Sequence, residues 1–315
     1  RLGIRKRMVG LGSILLLMLV VLLYQNTKVS KVRDIKDKNA VEQYLSRISN
    51  EKTWISRTQF WDNSMAMWKE KPPLGVGLGN WQVEFPKYGL NQFREFSIVN
   101  GTETLQRPHN DFLNILCENG ILGLLVYIFI FGWMYYQLFI LIKGTTDKTR
   151  WNYIYLLAGL SGYIVISFFD FPMERIEHQI ILMLFFAIIT SGYYNKKNIQ
   201  PESEMGKNVL KYLVITISIY SIIVTSFRFK GEMETVKMYV AKANGHWEET
   251  LYHANKAENY FYKVDLTSIP IAWYQGLASF NLNETAESTT YFEKAYQIAP
   301  YQIQVLNNLA GSYNF

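Results

Sequence analysis

Residues 108–142 read PHNDFLNILCENGILGLLVYIFIFGWMYYQLFILI, and this stretch decides the fold. From residue 120 to residue 142 it is apolar and long enough for a membrane helix, since about 20 apolar residues cross the core of a bilayer. Just before this run stands His109, at the end of a long polar loop rich in arginine and aromatic residues. Histidine at such a boundary is hydrated enough to exchange protons and close enough to lipid to meet a lipid-linked molecule. The stretch therefore predicts a membrane helix with a catalytic histidine just before its N-terminal end.

Four further apolar runs predict membrane spans, at residues 8–24, 153–169, 180–194 and 209–227. No small-residue cleavage site follows the first run, which we therefore interpret as a span rather than a signal peptide. Five spans are expected in total, the third and fourth forming a tight hairpin. We expect these spans to hold almost no polar residues other than serine and threonine.

Basic residues in the short loops predict the orientation of the spans. Lysine and arginine cluster at the N-terminal tip, at residues 143–150 and at residues 196–211, whereas residues 170–177 hold three acidic residues and one arginine. Because basic loops stay in the cytoplasm, we expect the N-terminus inside, and the 25–119 loop and the tail outside. The net charge of +6 is mostly this topogenic charge, so nucleic-acid binding is not expected. The single cysteine excludes an internal disulfide.

The fold class predicted is all-α: a polytopic helical membrane protein with a large extracytoplasmic loop and a C-terminal helical-repeat domain. Because the chain begins with arginine and stops inside a repeat, we expect a piece of a longer protein that lacks its earlier spans. The expected parts are a first span with a basic tip at 1–24, a catalytic loop at 25–119, four transmembrane helices at 120–227 and repeats at 228–315.

Local signals place helices within the loop. Ser56 is a possible N-cap for a helix, and Pro72 and Pro73 should end that helix because proline cannot donate to its ladder. A glycine-rich turn follows at residues 75–80. A short helix at residues 109–118 should end at Gly120 in the left-handed region, before the long membrane helix begins.

The tail has the spacing of tetratricopeptide repeats, with a generic helical hairpin as the alternative. One unit would use Gly276, Phe292, Ala295 and Pro300 at packing positions. One repeat length of about 34 residues later, the corresponding positions are Leu306, Leu309, Ala310 and Tyr313. A degenerate earlier unit is expected over residues 241–262.

Candidate catalytic residues lie in the loop. Histidine titrates near neutral pH, which suits His109 to act as a general base. Arginine presents a planar fork that fits phosphate oxygens, and the loop contains Arg57, Arg94 and Arg107. Taken alone, each of these residues is more simply structural. The acidic turn at residues 170–178 could face the same site, but more simply it shapes the membrane hairpin.

Two other kinds of site are disfavoured. The glycine run at residues 75–79 lacks the strand and the Gly-Lys-Ser/Thr of a nucleotide site. No Asp-x-Asp pair is present, which disfavours a metal-bound nucleotide-sugar enzyme. We therefore expect neither a metal nor a cofactor.

The order of several blocks resembles the O-antigen ligase and polymerase family, over about residues 1–195. The family signature is a histidine, then Asn, Ser or Gln, nine residues, a glycine, two residues and a second glycine; the matching residues are His109, Asn110, Gly120 and Gly123. The supporting blocks are Ser56-Arg57 with Trp61, residues 72–80, residues 108–113 and residues 118–123. The tail resembles that of a subgroup carrying tetratricopeptide repeats outside the membrane.

This resemblance implies a metal-independent glycosyltransferase of the bacterial inner membrane. It would move a glycan from polyprenyl diphosphate to an acceptor hydroxyl, on a lipid A core sugar or similar in ligases and on another repeat unit in polymerases. His109 would activate the acceptor, Arg57 would hold the donor diphosphate, and Arg107 or Arg94 would be a second candidate. Asn110 would help bind substrate. The glycine pair would allow close helix packing.

Two other classes of protein remain as alternatives. A solute carrier, such as a bicarbonate transporter, should place ionisable residues inside its spans, whereas here the charge lies in the outer loop. A membrane-anchored scaffold could use the repeats to bind a protein partner, but this leaves the His-Asn-Gly-Gly pattern without a purpose. The sequence favours the enzyme.

Overall fold

The computed structural model describes residues 51–89, 105–198 and 204–314. The chain divides into two compact units, residues 1–60 and 61–315. In the described ranges the regular structure is helical, apart from two isolated β-bridges, and this confirms the all-α prediction for this part of the chain. The first predicted span and Arg94 lie outside the described residues.

The described part of the loop contributes one long helix and two short ones. Helix α1, Glu51–Glu70, runs through residue 56, so the predicted N-cap at Ser56 is wrong. The helix ends just before Pro72 and Pro73, as predicted. After a turn at residues 71–80 come α2, Trp81–Glu84, and a 3-10 helix, Phe85–Tyr88.

Four helices in the described residues are long and apolar enough to cross a membrane. They are α3, Asp111–Lys143; α4, Thr149–Phe169; α5, Ile176–Lys197; and α6, Glu204–Ala243. These helices confirm four of the five predicted spans. The short connection between α4 and α5 makes the predicted hairpin, and Leu138, Leu160 and Ile189 form part of a shared apolar core with α3.

Two residues of the spans depart from the expectation that they hold little beyond serine and threonine: Lys211, near the start of the last apolar run, and Gln137. Gln137, on α3, is fully buried. A side-chain amide is tolerated at membrane depth when it is enclosed by protein rather than exposed to lipid. Sequence periodicity did not distinguish this enclosed position from its apolar neighbours.

Helix α3 is broken at Gly120, whose φ of 66° and ψ of −169° are not helical. This agrees with the predicted glycine break between a short helix and a long one. The break leaves carbonyl groups available to the 71–80 turn: the amide of Val76 donates to Cys117 at 2.9 Å, and that of Gly77 donates to Glu118 at 2.9 Å. Across the break, the amide of Ile121 donates to the Pro72 carbonyl at 2.9 Å.

A small core outside the spans supports the first section of α3. Trp81 is fully buried, and its indole donates to the hydroxyl of Ser64 at 2.9 Å. Its backbone amide donates to the buried carboxylate of Glu118 at 3.1 Å. These bonds join the C-terminal half of α1, α2 and α3.

Helix α6 does not end at residue 227 but continues without a break to Ala243. It packs against α7, Trp247–Ala257, and the chain continues with α8, Ile271–Asn281; α9, Thr285–Ile298; and α10, Ile303–Ser312. Helices α8 and α9 pack closely, since a Cβ on Gly276 would lie 2.7 Å from the Phe292 ring. The tetratricopeptide assignment stays a prediction, as does the division into domains.

Candidate active site

His109 has an unusual backbone conformation. Its φ is 54°, in the left-handed region that non-glycine residues rarely adopt. The next residue, Asn110, caps α3: its side-chain oxygen accepts from the amide of Leu113 at 3.0 Å. On the other side, the carbonyl of Pro108 accepts from the indole of Trp61 at 3.0 Å. The backbone is therefore held on both sides of the strained residue.

The ring of His109 faces the connection between α4 and α5. Its Nδ1 lies 3.8 Å from Oδ1 of Asp170, and its ring meets Phe171 edge-on with centroids 5.2 Å apart. The imidazole keeps 37% of its side-chain surface exposed, so an acceptor can reach it.

The ring of Phe171 contacts two arginines. The guanidinium carbon of Arg107 is 4.2 Å from the ring centroid, and that of Arg175 is 4.6 Å away. Cations over an aromatic face are attracted by its quadrupole. Each arginine also binds a carboxylate: Arg107 binds Glu174 at 2.7 Å, and Arg175 binds Asp170 at 3.0 Å.

Two carboxylates fix this connection against α3. Asp111 is 2% exposed and accepts from the amide of Met173 at 3.0 Å, which anchors the 3-10 helix Pro172–Glu174. Burial raises the pKa of Glu174, and the charge of Arg107 opposes that rise. The arrangement gives a partly hydrated imidazole beside two oriented cations and their counter-charges.

Residues 1–128 match the family model described as O-Antigen ligase. This part of the chain is similar to the O-antigen ligase family. The match includes the residues of the signature and ends within α3. Comparisons with curated proteins and with solved structures found no match. Together with the four helices that are long and apolar enough to cross a membrane, this match indicates a bacterial membrane protein.

The predicted residues of the ligase-family site fall into three groups. Arg107, His109 and Asn110 lie together at the start of α3, and Asn110 is buried there as a helix cap. Arg57 is half-buried on α1, in the first compact unit. Arg94 belongs to the residues that are not described.

The two signature glycines give room to different neighbours. A Cβ on Gly120 would lie 2.3 Å from the carbonyl carbon of Pro73, in the turn that crosses the break. A Cβ on Gly123 would lie 2.2 Å from the Cβ of Asn119 on the same helix. The first glycine therefore admits another stretch of backbone, and the second admits a side chain of α3 itself.

Sequence reasoning favoured a purely structural role for the α4–α5 connection, and it did not single out Phe171. The acidic and basic residues of this outer turn were a signal that could have linked it to His109. Gln106, which touches Arg107, carried no comparable signal. Over the three described ranges, no group of three His, Cys, Asp or Glu side chains is placed to hold a metal ion.

Proposed function

We propose that this protein is an O-antigen ligase-like glycosyltransferase. It moves a glycan from polyprenyl diphosphate to an acceptor hydroxyl, on a lipid A core sugar or a similar sugar, at the outer face of the bacterial inner membrane. The observation that carries the proposal is His109, held in a strained backbone at the mouth of α3, beside Asp170 and the Arg107–Phe171 stack. The match to the ligase-family model supports glycan processing at a membrane.

The proposed reaction is a single displacement at the anomeric carbon of the donor sugar. The acceptor oxygen forms the new bond to that carbon, and His109 takes the proton from the hydroxyl. The bond between the anomeric carbon and the diphosphate oxygen breaks, and the polyprenyl diphosphate leaves with the electron pair. Asp170 stabilises the imidazolium that forms.

Arginine supplies positive charge for the leaving diphosphate in this proposal, which needs no metal. From the resemblance, Arg57 is the first candidate to hold the diphosphate, and Arg94 is a weaker one. Arg107 is the candidate that lies beside the His109 site, because both residues contact Phe171. Asn110 contributes to substrate binding indirectly, because its capping bond to α3 holds the backbone next to His109.

The sidedness of the protein belongs to the same proposal. Four spans separate His109 from the tail, and an even number returns the chain to the side on which it started. The basic loops predict that this side is the outer one. The donor, its acceptor and the C-terminal domain would then share one compartment.

The test is glycan transfer by the full-length protein in liposomes, with a polyprenyl diphosphate-linked glycan and separate acceptors. His109→Ala should lose about a thousandfold or more in transfer while remaining folded, because the base is removed. His246→Ala is the matched control, since that histidine is exposed in the C-terminal domain. Normal transfer by His109→Ala would exclude the proposed base.

The products separate the alternatives. Transfer to lipid A core by the wild type identifies a ligase, and growth of the carrier-linked chain identifies a polymerase. Solute crossing the bilayer without any glycan transfer would favour the transporter and contradict the proposal.

A further inference from the structure

The C-terminal domain touches the loop that carries His109. The side-chain amide of Gln106 donates from Nε2 to the carbonyl of Leu266 at 2.6 Å, joining residues 160 positions apart. A second contact places the ammonium of Lys87 5.9 Å from the ring centroid of Tyr301. Both contacts come from parts of the domain beyond α6.

Gln106 also binds the neighbouring arginine. Nη2 of Arg107 donates to Oε1 of Gln106 at 3.1 Å, while Nη1 is held by Glu174 at 2.7 Å. The bonds to Gln106 and Glu174 hold the edge of the guanidinium, and Phe171 covers one of its faces. The two ends of the Gln106 amide therefore link Arg107 to the C-terminal domain.

The turn that receives this bond has a well-defined geometry. Asp265 is 4% exposed, and its Oδ1 accepts from the amides of Thr267 at 2.8 Å and Ile269 at 2.9 Å. Its Oδ2 accepts from the hydroxyl of Tyr274 on α8 at 2.8 Å. The Leu266 carbonyl thus has a position set by the core of the domain, not by a loose loop.

We infer that Gln106 is a positioning residue through which the C-terminal domain orients Arg107 for the donor diphosphate. The domain is then part of the transfer site, and a ligand that displaces the 265–269 turn weakens donor binding. This inference rests on the proposed function, because it assigns Arg107 to the donor.

Gln106→Met tests the inference in the full chain, since methionine has similar length but makes neither bond. The KM for the polyprenyl diphosphate donor should rise about tenfold, the value of one charge-assisted hydrogen bond. The KM for the acceptor and kcat should stay close to the wild-type values. Asn281→Ala is the control, because this exposed amide bonds only to the carbonyl of Leu277 on its own helix.

Cross-linking tests the contact without activity. Gln106→Cys with Leu266→Cys should be joined within one chain by a short bifunctional thiol reagent, as seen by intact mass. Cys117 can remain, because it is fully buried. Gln106→Cys with Asn281→Cys should not be joined, since α8 carries residue 281 about 15 Å from the turn.

The outcomes separate this inference from the proposed function. A donor KM in Gln106→Met equal to that of Asn281→Ala, or failure of the 106–266 cross-link, overturns the inference alone. Full activity in His109→Ala overturns the proposed function. In that case the cross-link still decides whether the domain docks on the loop.

Discussion

His109 is strained where the proposed chemistry occurs. A left-handed backbone at a non-glycine residue costs about 1–3 kcal/mol and persists only where the surroundings hold it. Here the Trp61 bond to Pro108 precedes the strained residue and the Asn110 cap follows it. The cap and the indole bond therefore offset the stability cost of the strain at His109.

Phe171 gives a residue-scale prediction for transfer. Phe171→Leu keeps apolar volume but removes the aromatic face that Arg107 and Arg175 share. We expect transfer to fall about twofold to thirtyfold, because losing the cation–π contact of Arg107 costs about 0.5–2 kcal/mol. Initial rates with saturating acceptor measure this.

Phe168→Leu is the matched control, since Phe168 stacks on Phe112 rather than on an arginine. Equal losses in the two variants would show that only apolar packing is at stake.

Candidate site residues could be identified from the sequence where a single short motif contains them. The spacing from His109 to Gly123 is local, so the sequence identifies those positions without any fold. Asp170 and Phe171 reach His109 only because α4 returns the chain across the membrane, and no local pattern records that contact.

At the scale of elements, the break in α3 organises the loop. The 71–80 turn takes the carbonyl groups that the break frees, and only glycine leaves space for it. The two prolines and the glycine break were predictable because backbone chemistry alone requires them. The place of Ser56 inside α1 was not predictable, because a polar residue inside a helix has the same local sequence pattern as an N-cap.

Gly120→Ala should destabilise the protein by about 2–4 kcal/mol. The new Cβ would need a positive φ and would lie 2.3 Å from the Pro73 backbone. Thermal unfolding in detergent measures the effect.

Gly132→Ala, on the same helix, is the control. Among the described residues, no atom beyond its own stretch of helix lies within 4 Å of its Cβ position, so the change should be neutral or stabilising by up to about 1 kcal/mol. A Gly120→Ala protein as stable as this control would show that the turn does not depend on the glycine.

For the whole molecule, hydropathy was sufficient to predict the four spans of the described residues, because lipid imposes one length and one composition on a membrane helix. It could not predict that the C-terminal domain meets the loop. That contact joins residues 160 positions apart through a single amide, and sequence periodicity carries no information on it.

Sidedness can be tested on intact cells. Tyr260→Cys, at an 83% exposed position of the C-terminal domain, should react with a membrane-impermeant maleimide in spheroplasts. Lys148→Cys, in the loop between α3 and α4, should react only after permeabilisation, because basic loops face the cytoplasm. The opposite pattern would invert the orientation, and labelling of both sites without permeabilisation would contradict the odd number of spans, α4 to α6, that separates the two sites.

Helix α6 has a mechanical consequence. Its 40 residues form one rod of about 60 Å, with no hinge where the chain leaves its apolar part and enters the C-terminal domain. A load applied to that domain is therefore carried as a torque into the bilayer-spanning part of the same rod. A tilt of the C-terminal domain therefore changes the angle between α6 and the bilayer normal.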